Sequence, residues 1–264
     1  MTYKEKTVWI TGASSGIGEA TAYEFARQGA KLVLSSPEIA KLEDVKNKCL
    51  EYCHACLVVP LDLTQQGEFP DLVKRVKSEF GTIDVLINCG GISQRSLIAD
   101  TPMDVDRKVF EINFFGTIAL TKAVLPVMLD QRSGQIAAVS SITGKFGFPL
   151  RSAYSASKHA LHGFFETLYV ENSKDGIMVS IIVPGRVKTE ISKNAITANG
   201  TAHGKLDDGQ VGGITRELAA KKIVRGLSKG KIEILVGAKE LNMVHIKRFF
   251  PALFRRIAMN ISAT

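Results

Sequence analysis

The 264-residue sequence predicts an α/β fold: a doubly wound parallel sheet of about seven strands with helices on both faces. Three observations carry it. Strand-like and helix-like stretches alternate from the start of the chain. Six strand segments are separated by helices of 12 or more residues, the length a right-handed crossover between parallel strands needs. The strands read as continuous apolar runs, as strands covered on both faces do. No Pro/Gly/Ser-rich linker and no internal repeat interrupts the pattern, so residues 1–264 read as one domain.

In order, residues 6–11 form a short strand and 16–28 a helix whose Ile17, Ala20, Phe25 and Ala26 face the core. Residues 31–35 are the second strand, 38–52 a helix, 56–61 the third strand and 65–80 an amphipathic helix. Residues 83–88 make the fourth strand, and 104–129 one long helix with a kink at Pro126. The fifth strand is 134–140, followed by a helix at 152–174 with a Lys-Asp-Gly stop. The sixth strand, 177–183, is closed by Pro184-Gly185. A long, polar, glycine-bearing segment at 186–215 reads as a substrate loop beyond the carboxyl end of a strand, where such sheets bind ligands. A helix at 214–228 and a seventh strand at 231–236 follow, then an amphipathic extension at 238–264.

Composition narrows the function. Apolar residues make up 45% of the chain, enough for a sizeable core, and the formal net charge is +8. The basic residues are spread out except at the C-terminus, which argues against nucleic acid as a partner and leaves anionic small molecules or a membrane surface. No secretory signal and no uncharged run of about 18 apolar residues is visible, so a cytoplasmic chain is expected, peripheral to a membrane if the C-terminus touches one. Cys49, Cys53 and Cys56 cluster with His54, but no second ligand cluster exists; buried thiols are expected and no metal.

Two constellations carry chemistry. The first strand runs into Thr11-Gly12-Ala13-Ser14-Ser15-Gly16-Ile17-Gly18 and then a helix. Glycines there let the backbone turn tightly and approach a pyrophosphate seated on the helix N-terminus. Downstream, Tyr154 and Lys158 stand four apart on a helix and share a face. An ammonium beside a phenol lowers its pKa from about 10 and makes it a general acid/base. Ser141 ends the fifth strand and can hold a carbonyl oxygen as charge develops on it.

These segments resemble the short-chain dehydrogenase/reductase family in its common form of roughly 250 residues. The matching motifs are TGASSGIG at 11–18, Asp62-Leu63, Asn88-Cys89-Gly90-Gly91, Asn113 within EINFFG, Ser141, YSASK at 154–158 and Pro184-Gly185, in family order over nearly the whole chain. RSAYSASKHA and the stretch at 194–200 resemble its member 7B-like group. The resemblance implies a Rossmann-type fold and an oxidoreductase interconverting a carbonyl and an alcohol with NAD(P)(H), acting on a lipid-like or other hydrophobic ketone. A catalytically silent, cofactor-binding scaffold is the alternative.

It also implies roles. Ser141 would polarise the carbonyl, Tyr154 would donate the proton, Lys158 would also bind the nicotinamide ribose, and Asn113 would hold a relay water. Gly12, Ser14, Ser15, Gly16, Ile17 and Gly18 would take the pyrophosphate. Asp62 would face the adenine, Leu63 would also bind the cofactor, and Asn88 with Gly90 would line the adenosine side. Pro184, Gly185, Val187 and Thr189 would flank the nicotinamide. Assembly as a homodimer or homotetramer through the two long helices is implied as well.

Two departures stand out: Cys89-Gly90 replaces the family's Asn-Ala, and Ser35-Ser36-Pro37 has neither the acid of NAD users nor the Arg of many NADP users. With no carboxylate at Ser36 and serine hydroxyls able to donate to a 2′-phosphate, NADP(H) is favoured over NAD(H). Arg95, Arg151 and Arg186 fall on segments expected at the carboxyl edge of the sheet and are candidates for an anionic substrate. In 241–261, apolar residues alternate with Lys247, Arg248, Arg255 and Arg256, and Pro251 should divide it into two short helices. The segment covers either the substrate loop, a partner subunit or an anionic membrane.

Overall fold

The structure, a computed structural model, describes residues 2–260. Seven strands form one sheet, β1 (Thr7–Thr11), β2 (Lys31–Ser35), β3 (Cys56–Val58), β4 (Val85–Asn88), β5 (Gly134–Val139), β6 (Ile177–Pro184) and β7 (Glu233–Val236), in the order β3-β2-β1-β4-β5-β6-β7. Every pairing is parallel. The helices are α1 (Gly16–Arg27), α2 (Ile39–Cys49), α3 (Phe69–Phe80), α4 (Met103–Phe110), α5 (Thr117–Asp130), α6 (Ser152–Asn172), the four-residue α7 (Asp208–Val211), α8 (Arg216–Ser228), α9 (Asn242–Phe249) and α10 (Pro251–Ala258).

Alternation along the strands builds both cores. Val8 and Ile10 of β1 join Phe25, Leu42, Ile223 and Leu227 of α1, α2 and α8. Trp9 of the same strand faces the other way, with Val73, Leu120, Val124, Leu161 and Phe165 of α3, α5 and α6. The strand order reverses between β1 and β4, and that switch point opens a crevice at the carboxyl ends of the strands.

The structure adjusts several sequence expectations. The predicted 104–129 helix is one helical run, Met103–Gln131, with Pro126 inside α5. Between α4 and α5 lies a π-helical turn, Glu111–Gly116, that carries Asn113. β3 ends at Val58 rather than residue 61, although Val59 and Leu61 still donate to Leu34 and Ser36 of the β2 side; Pro60 between them falls on the open edge of the sheet, where a missing N–H costs no ladder bond. The combined helix Met103–Gln131 is long and apolar enough to cross a membrane by length and composition, with Lys122 interrupting its apolar run. Here it lies on the sheet through Leu120, Val124 and Met128. Pro251 divides the C-terminal segment into α9 and α10 as expected; Ile261 lies outside the described residues.

Candidate active site

A cleft of ≈ 1370 Å³ runs along the crevice, with the glycine turn at one end and Ser141, Tyr154 and Lys158 in its wall. That is more than the roughly 300–1,000 Å³ a single drug-sized ligand takes, so a dinucleotide and a second molecule fit together.

The glycine end is shaped for close approach. Gly12 (φ 64°) and Gly16 (φ 58°) are left-handed, and a Cβ on Gly18 would lie 2.2 Å from the Gly12 carbonyl oxygen. Ser15 precedes α1 without a side-chain hydrogen bond to its first turn, which leaves helix N–H groups for an anion. Thr11 Oγ1 accepts from the N–H of Cys89 (3.1 Å) and Gly90 (3.0 Å), tying the ends of β1 and β4 together. A Cβ at Gly90 would sit 2.9 Å from Leu63 Cδ1, so Leu63 fills the space of the family's alanine methyl. Ile17, Asp62, Leu63, Pro184, Gly185, Val187 and Thr189 all line the cleft. This half therefore fits a dinucleotide. Asn88 is the exception: it is buried outside the lining, and its Nδ2 donates to Thr121 Oγ1 (3.1 Å), fastening β4 to α5.

The reading of Ser36 needs correction. A carboxylate does reach this corner, from Glu38. Ser36 Oγ donates to Ser14 Oγ (3.0 Å), and Ser14 Oγ donates to Glu38 Oε2 (2.9 Å). Ser36 Oγ accepts from Glu38 N–H. Ser35 Oγ is buried and accepts from Trp9 Nε1. The Ser14 and Ser36 hydroxyl protons thus run toward a carboxylate and away from any 2′-phosphate. Lys41, paired with Glu38, holds its carboxyl below the usual value against the opposing effect of burial.

At the catalytic end, the Ser141 hydroxyl hydrogen-bonds the Tyr154 phenol. Ser141 also caps the following 3₁₀ turn by accepting from Thr143 N–H, which fixes its position. Lys158, one helical turn beyond Tyr154, stands 5.8 Å from the phenol ring centre and donates to the Val139 carbonyl at 2.8 Å. Burial pulls its ammonium down to about 8, against the opposing influence of Cys89. Burial likewise dominates at Tyr154 and raises it. The expected lowering is present but smaller, and it comes from the Ser141 hydrogen bond, Arg95 and Arg151 rather than from Lys158.

Asn113 lies behind the cleft wall. Its Oδ1 accepts from Ile92 N–H (2.8 Å), and its Nδ2 donates to Ile92 O (2.9 Å) and Ser157 Oγ (3.1 Å). The π turn thus holds the Gly91–Ile92 strand-end loop against α6 through the Asn113 side chain. The three arginines divide. Arg95 and Arg151 are buried and both pair with Asp207, at 2.5 and 2.6 Å. Only Arg186, exposed on the rim, keeps the position expected for meeting an anionic substrate.

Several cleft residues had no sequence signal, Glu38, Asp207 and Met243 among them. Glu38 enters through the turn before α2, Asp207 through the 186–215 loop, and Met243 from α9. The C-terminal segment serves its own fold in part: Phe254 is buried on Phe146 of the cleft wall (ring centres 5.1 Å apart), and Lys247 Nζ donates to the Lys145 carbonyl. Phe249, Phe250 and Leu253 stay exposed.

Among known proteins, the short chain dehydrogenase family model matches residues 6–200. A "Dehydrogenase/reductase SDR family protein 7-like" of Drosophila melanogaster is 39% identical over 254 residues, 94% of this chain and 78% of that protein. "Dehydrogenase/reductase SDR family member 7B" of Mus musculus is 41% identical over 259 residues, 96% of this chain and 80% of that protein. The crystal structure of a short chain dehydrogenase/reductase from Burkholderia phymatum in complex with NAD superimposes with a TM-score of 0.84 at 22% identity, covering 100% of this chain and 98% of that one.

Proposed function

The chain belongs to the short-chain dehydrogenase/reductase family of nicotinamide-dependent oxidoreductases, and from that premise we propose that it reduces a hydrophobic, lipid-like ketone to the alcohol, with Ser141, Tyr154 and Lys158 as its catalytic residues. One observation carries the reading: the Ser141–Tyr154 hydroxyl pair and the Lys158 ammonium open onto the same cleft as the glycine turn. A bound nicotinamide would supply or take up the hydride. Ser141 holds the substrate carbonyl oxygen, and Tyr154 delivers a proton to it as the C–O bond becomes single; alcohol oxidation returns the proton to Tyr154. Lys158 adds positive charge beside the developing alkoxide and is placed to bind the cofactor ribose. Ile92, Ile112, Phe146, Phe148 and Met243 give the substrate end an apolar wall that excludes water.

The cofactor preference moves from NADP(H) to NAD(H). Glu38 supports this, because a carboxylate already bonded through Ser14 suits a ribose 2′-hydroxyl and repels a 2′-phosphate. The test follows cofactor oxidation against a panel of ketosteroids, retinal, 3-oxoacyl thioesters and acyl- and alkyl-dihydroxyacetone phosphates, with NADH and NADPH in parallel. Turnover with NADH at lower KM is expected, and Glu38→Ser should shift the NADPH/NADH ratio at least about tenfold toward NADPH. Lower KM for NADPH in the wild type would refute the preference. Silence across the panel with tight cofactor binding would favour the scaffold alternative.

The exposed Phe249, Phe250 and Leu253, together with Lys247, Arg248, Arg255 and Arg256 and no acidic residue from 241 to 260, support a peripheral contact with an anionic membrane beside the cleft. Phe249→Ser/Leu253→Ser spares the buried Phe254. It should abolish co-sedimentation with phosphatidylserine vesicles at low salt while leaving thermal stability unchanged; retained co-sedimentation would end this idea. Exposed Phe115 beside α5 and Val170 on α6 support pairing of subunits through the long helices, as a homodimer or homotetramer.

A further inference from the structure

Asp207 stands at the junction of three segments that the fold brings together from far apart: 112 residues from Arg95 and 56 from Arg151. Arg95 grips it bidentately, Nε to Oδ1 at 3.3 Å and Nη2 to Oδ2 at 2.5 Å, while Arg151 Nη2 reaches Oδ2 at 2.6 Å. All three side chains are less than a tenth exposed, and all three residues line the cleft that contains the Tyr154 hydroxyl.

The chain is built to hold this arrangement. Arg95 Nη1 also donates to Ser93 Oγ (2.8 Å) and to the Gln94 carbonyl (2.6 Å). Arg151 Nη1 donates to the Pro149 carbonyl, and its guanidinium lies 4.7 Å from the Phe148 ring centre. Leu150, just before Arg151, takes a left-handed φ of 62°, an unfavourable conformation for leucine kept where it aims its neighbour. Gln94 Oε1 accepts from the Ala153 and Tyr154 N–H groups, so the loop bearing Arg95 is bound to the first turn of α6. The loop after β6 is stitched to the same place, Arg95 N–H to Ile196 O and Ile196 N–H to Ser93 O, both at 2.9 Å. Asp207 N–H donates to Ser192 Oγ.

Two consequences follow from charge and geometry. The 186–215 loop, whose Thr189, Glu190, Ile191 and Asn194 line the cleft, is drawn over it by an ion pair that neither partner can leave without stranding a buried charge. And two guanidiniums against one carboxylate leave one net positive charge in the wall beside Tyr154.

We propose that Asp207 is a positioning residue: it closes the β6–α8 loop over the catalytic cleft and, by neutralising one of two buried guanidiniums, sets the positive potential at the Tyr154 hydroxyl. The other groups near that hydroxyl are Ser141, Lys158 and Cys89. Lys108, Arg186, Glu190, Asp208 and Glu240 stand elsewhere on the cleft lining. Of all these, Arg95 and Arg151 are the cations that favour the Tyr154 phenolate, while burial pushes the other way.

The inference rests on Tyr154 as the proton carrier, but its test does not need a substrate. Tyr154 is titrated by its ultraviolet phenolate band in protein saturated with NAD⁺, as the difference between each variant and the same variant carrying Tyr154→Phe. Asp207→Asn removes the counter-charge and should lower the midpoint. Arg151→Gln leaves a neutral Arg95–Asp207 pair and should raise it. Each shift should reach about half a pH unit or more. Trypsin should also cut at the exposed Lys193 or Lys205 at least about tenfold faster in Asp207→Asn, because a released loop unfolds locally into the extended form a protease needs. Opposite-signed shifts are not a result that general loosening of the fold produces. If Asp207→Asn fails to fold, Arg151→Gln alone decides by its sign. Midpoints that stay in place, or both move the same way, overturn the proposal. A Tyr154→Phe protein that still turns over would sink the reading of Tyr154 instead, and leaves the titrations standing.

Discussion

Tyr154→Phe is expected to lower turnover by at least about 10²-fold while cofactor affinity stays within about threefold of the wild type. The ring is buried with Val105, Val109, Ala153 and Ile196, so phenylalanine keeps the packing and loses only the hydroxyl and its bond to Ser141. Removing a general acid affects the transition state, whereas the glycine turn that would hold the dinucleotide lies at the far end of the cleft. The direction of the Tyr154 shift adds a pH signature. Burial raises its pKa, so the phenol is protonated at neutral pH. Carbonyl reduction needs that protonated form and should be level through neutrality. Alcohol oxidation needs the phenolate and should climb as pH rises into the alkaline range. Single-turnover kinetics with NADH, alongside a cofactor fluorescence titration, separates the two effects. Near-wild-type turnover in the variant would remove Tyr154 from the mechanism.

The parts of this site that were legible in the sequence are those whose partners are close in the chain. The turn from Thr11 to Gly18 and the Tyr154–Lys158 pair each lie within one turn or one helix, so strand-to-helix context and the 3.6-residue period locate them. Ser141 was legible as the residue ending a strand at the sheet's carboxyl edge. Pairings made by tertiary structure were not. Nothing local tells Arg95 that Asp207 will meet it, and without that partner its charge reads as free to bind a substrate. Glu38 lies only two residues past Ser36, but the turn before α2 brings its carboxylate back onto Ser14. Asn113 sits in a π turn, where one extra residue per turn shifts every later side chain around the helix, so a 3.6-residue reading runs straight through it. Phe254 looked like its exposed neighbours Phe249, Phe250 and Leu253 because the period places an apolar stripe on a helix, but not which part of the stripe finds Phe146.

Lys158→Met should stabilise the cofactor-free protein at pH 7 by about 1 kcal/mol while it abolishes turnover. Burial holds the Lys158 ammonium at about 8, against 10.5 in the unfolded chain. A difference of that size corresponds to about 3 kcal/mol of penalty for keeping the charge in the folded state, from about 1.4 kcal/mol per unit. Methionine has a similar length and no charge to desolvate. It forfeits the hydrogen bond from the ammonium to the Val139 carbonyl, worth about 1.5–3 kcal/mol, which offsets much of the penalty removed. The sign with pH is fixed by which state binds more protons. Below pH 8 both folded and unfolded chains carry the ammonium, and the full penalty applies. Between about 8 and 10.5 the folded protein sheds the proton first, so wild-type stability gains on the variant as pH rises. Above 10.5 both states are neutral, and the advantage of methionine disappears. Chemical denaturation of both proteins from pH 7 to 11 reads this directly. A variant less stable than the wild type at pH 7, or a gap that does not close with pH, would show that the lysine charge is not under strain in the fold. The expected closing gap would mean that the fold is less stable for holding, beside Tyr154, a cation that its chemistry requires.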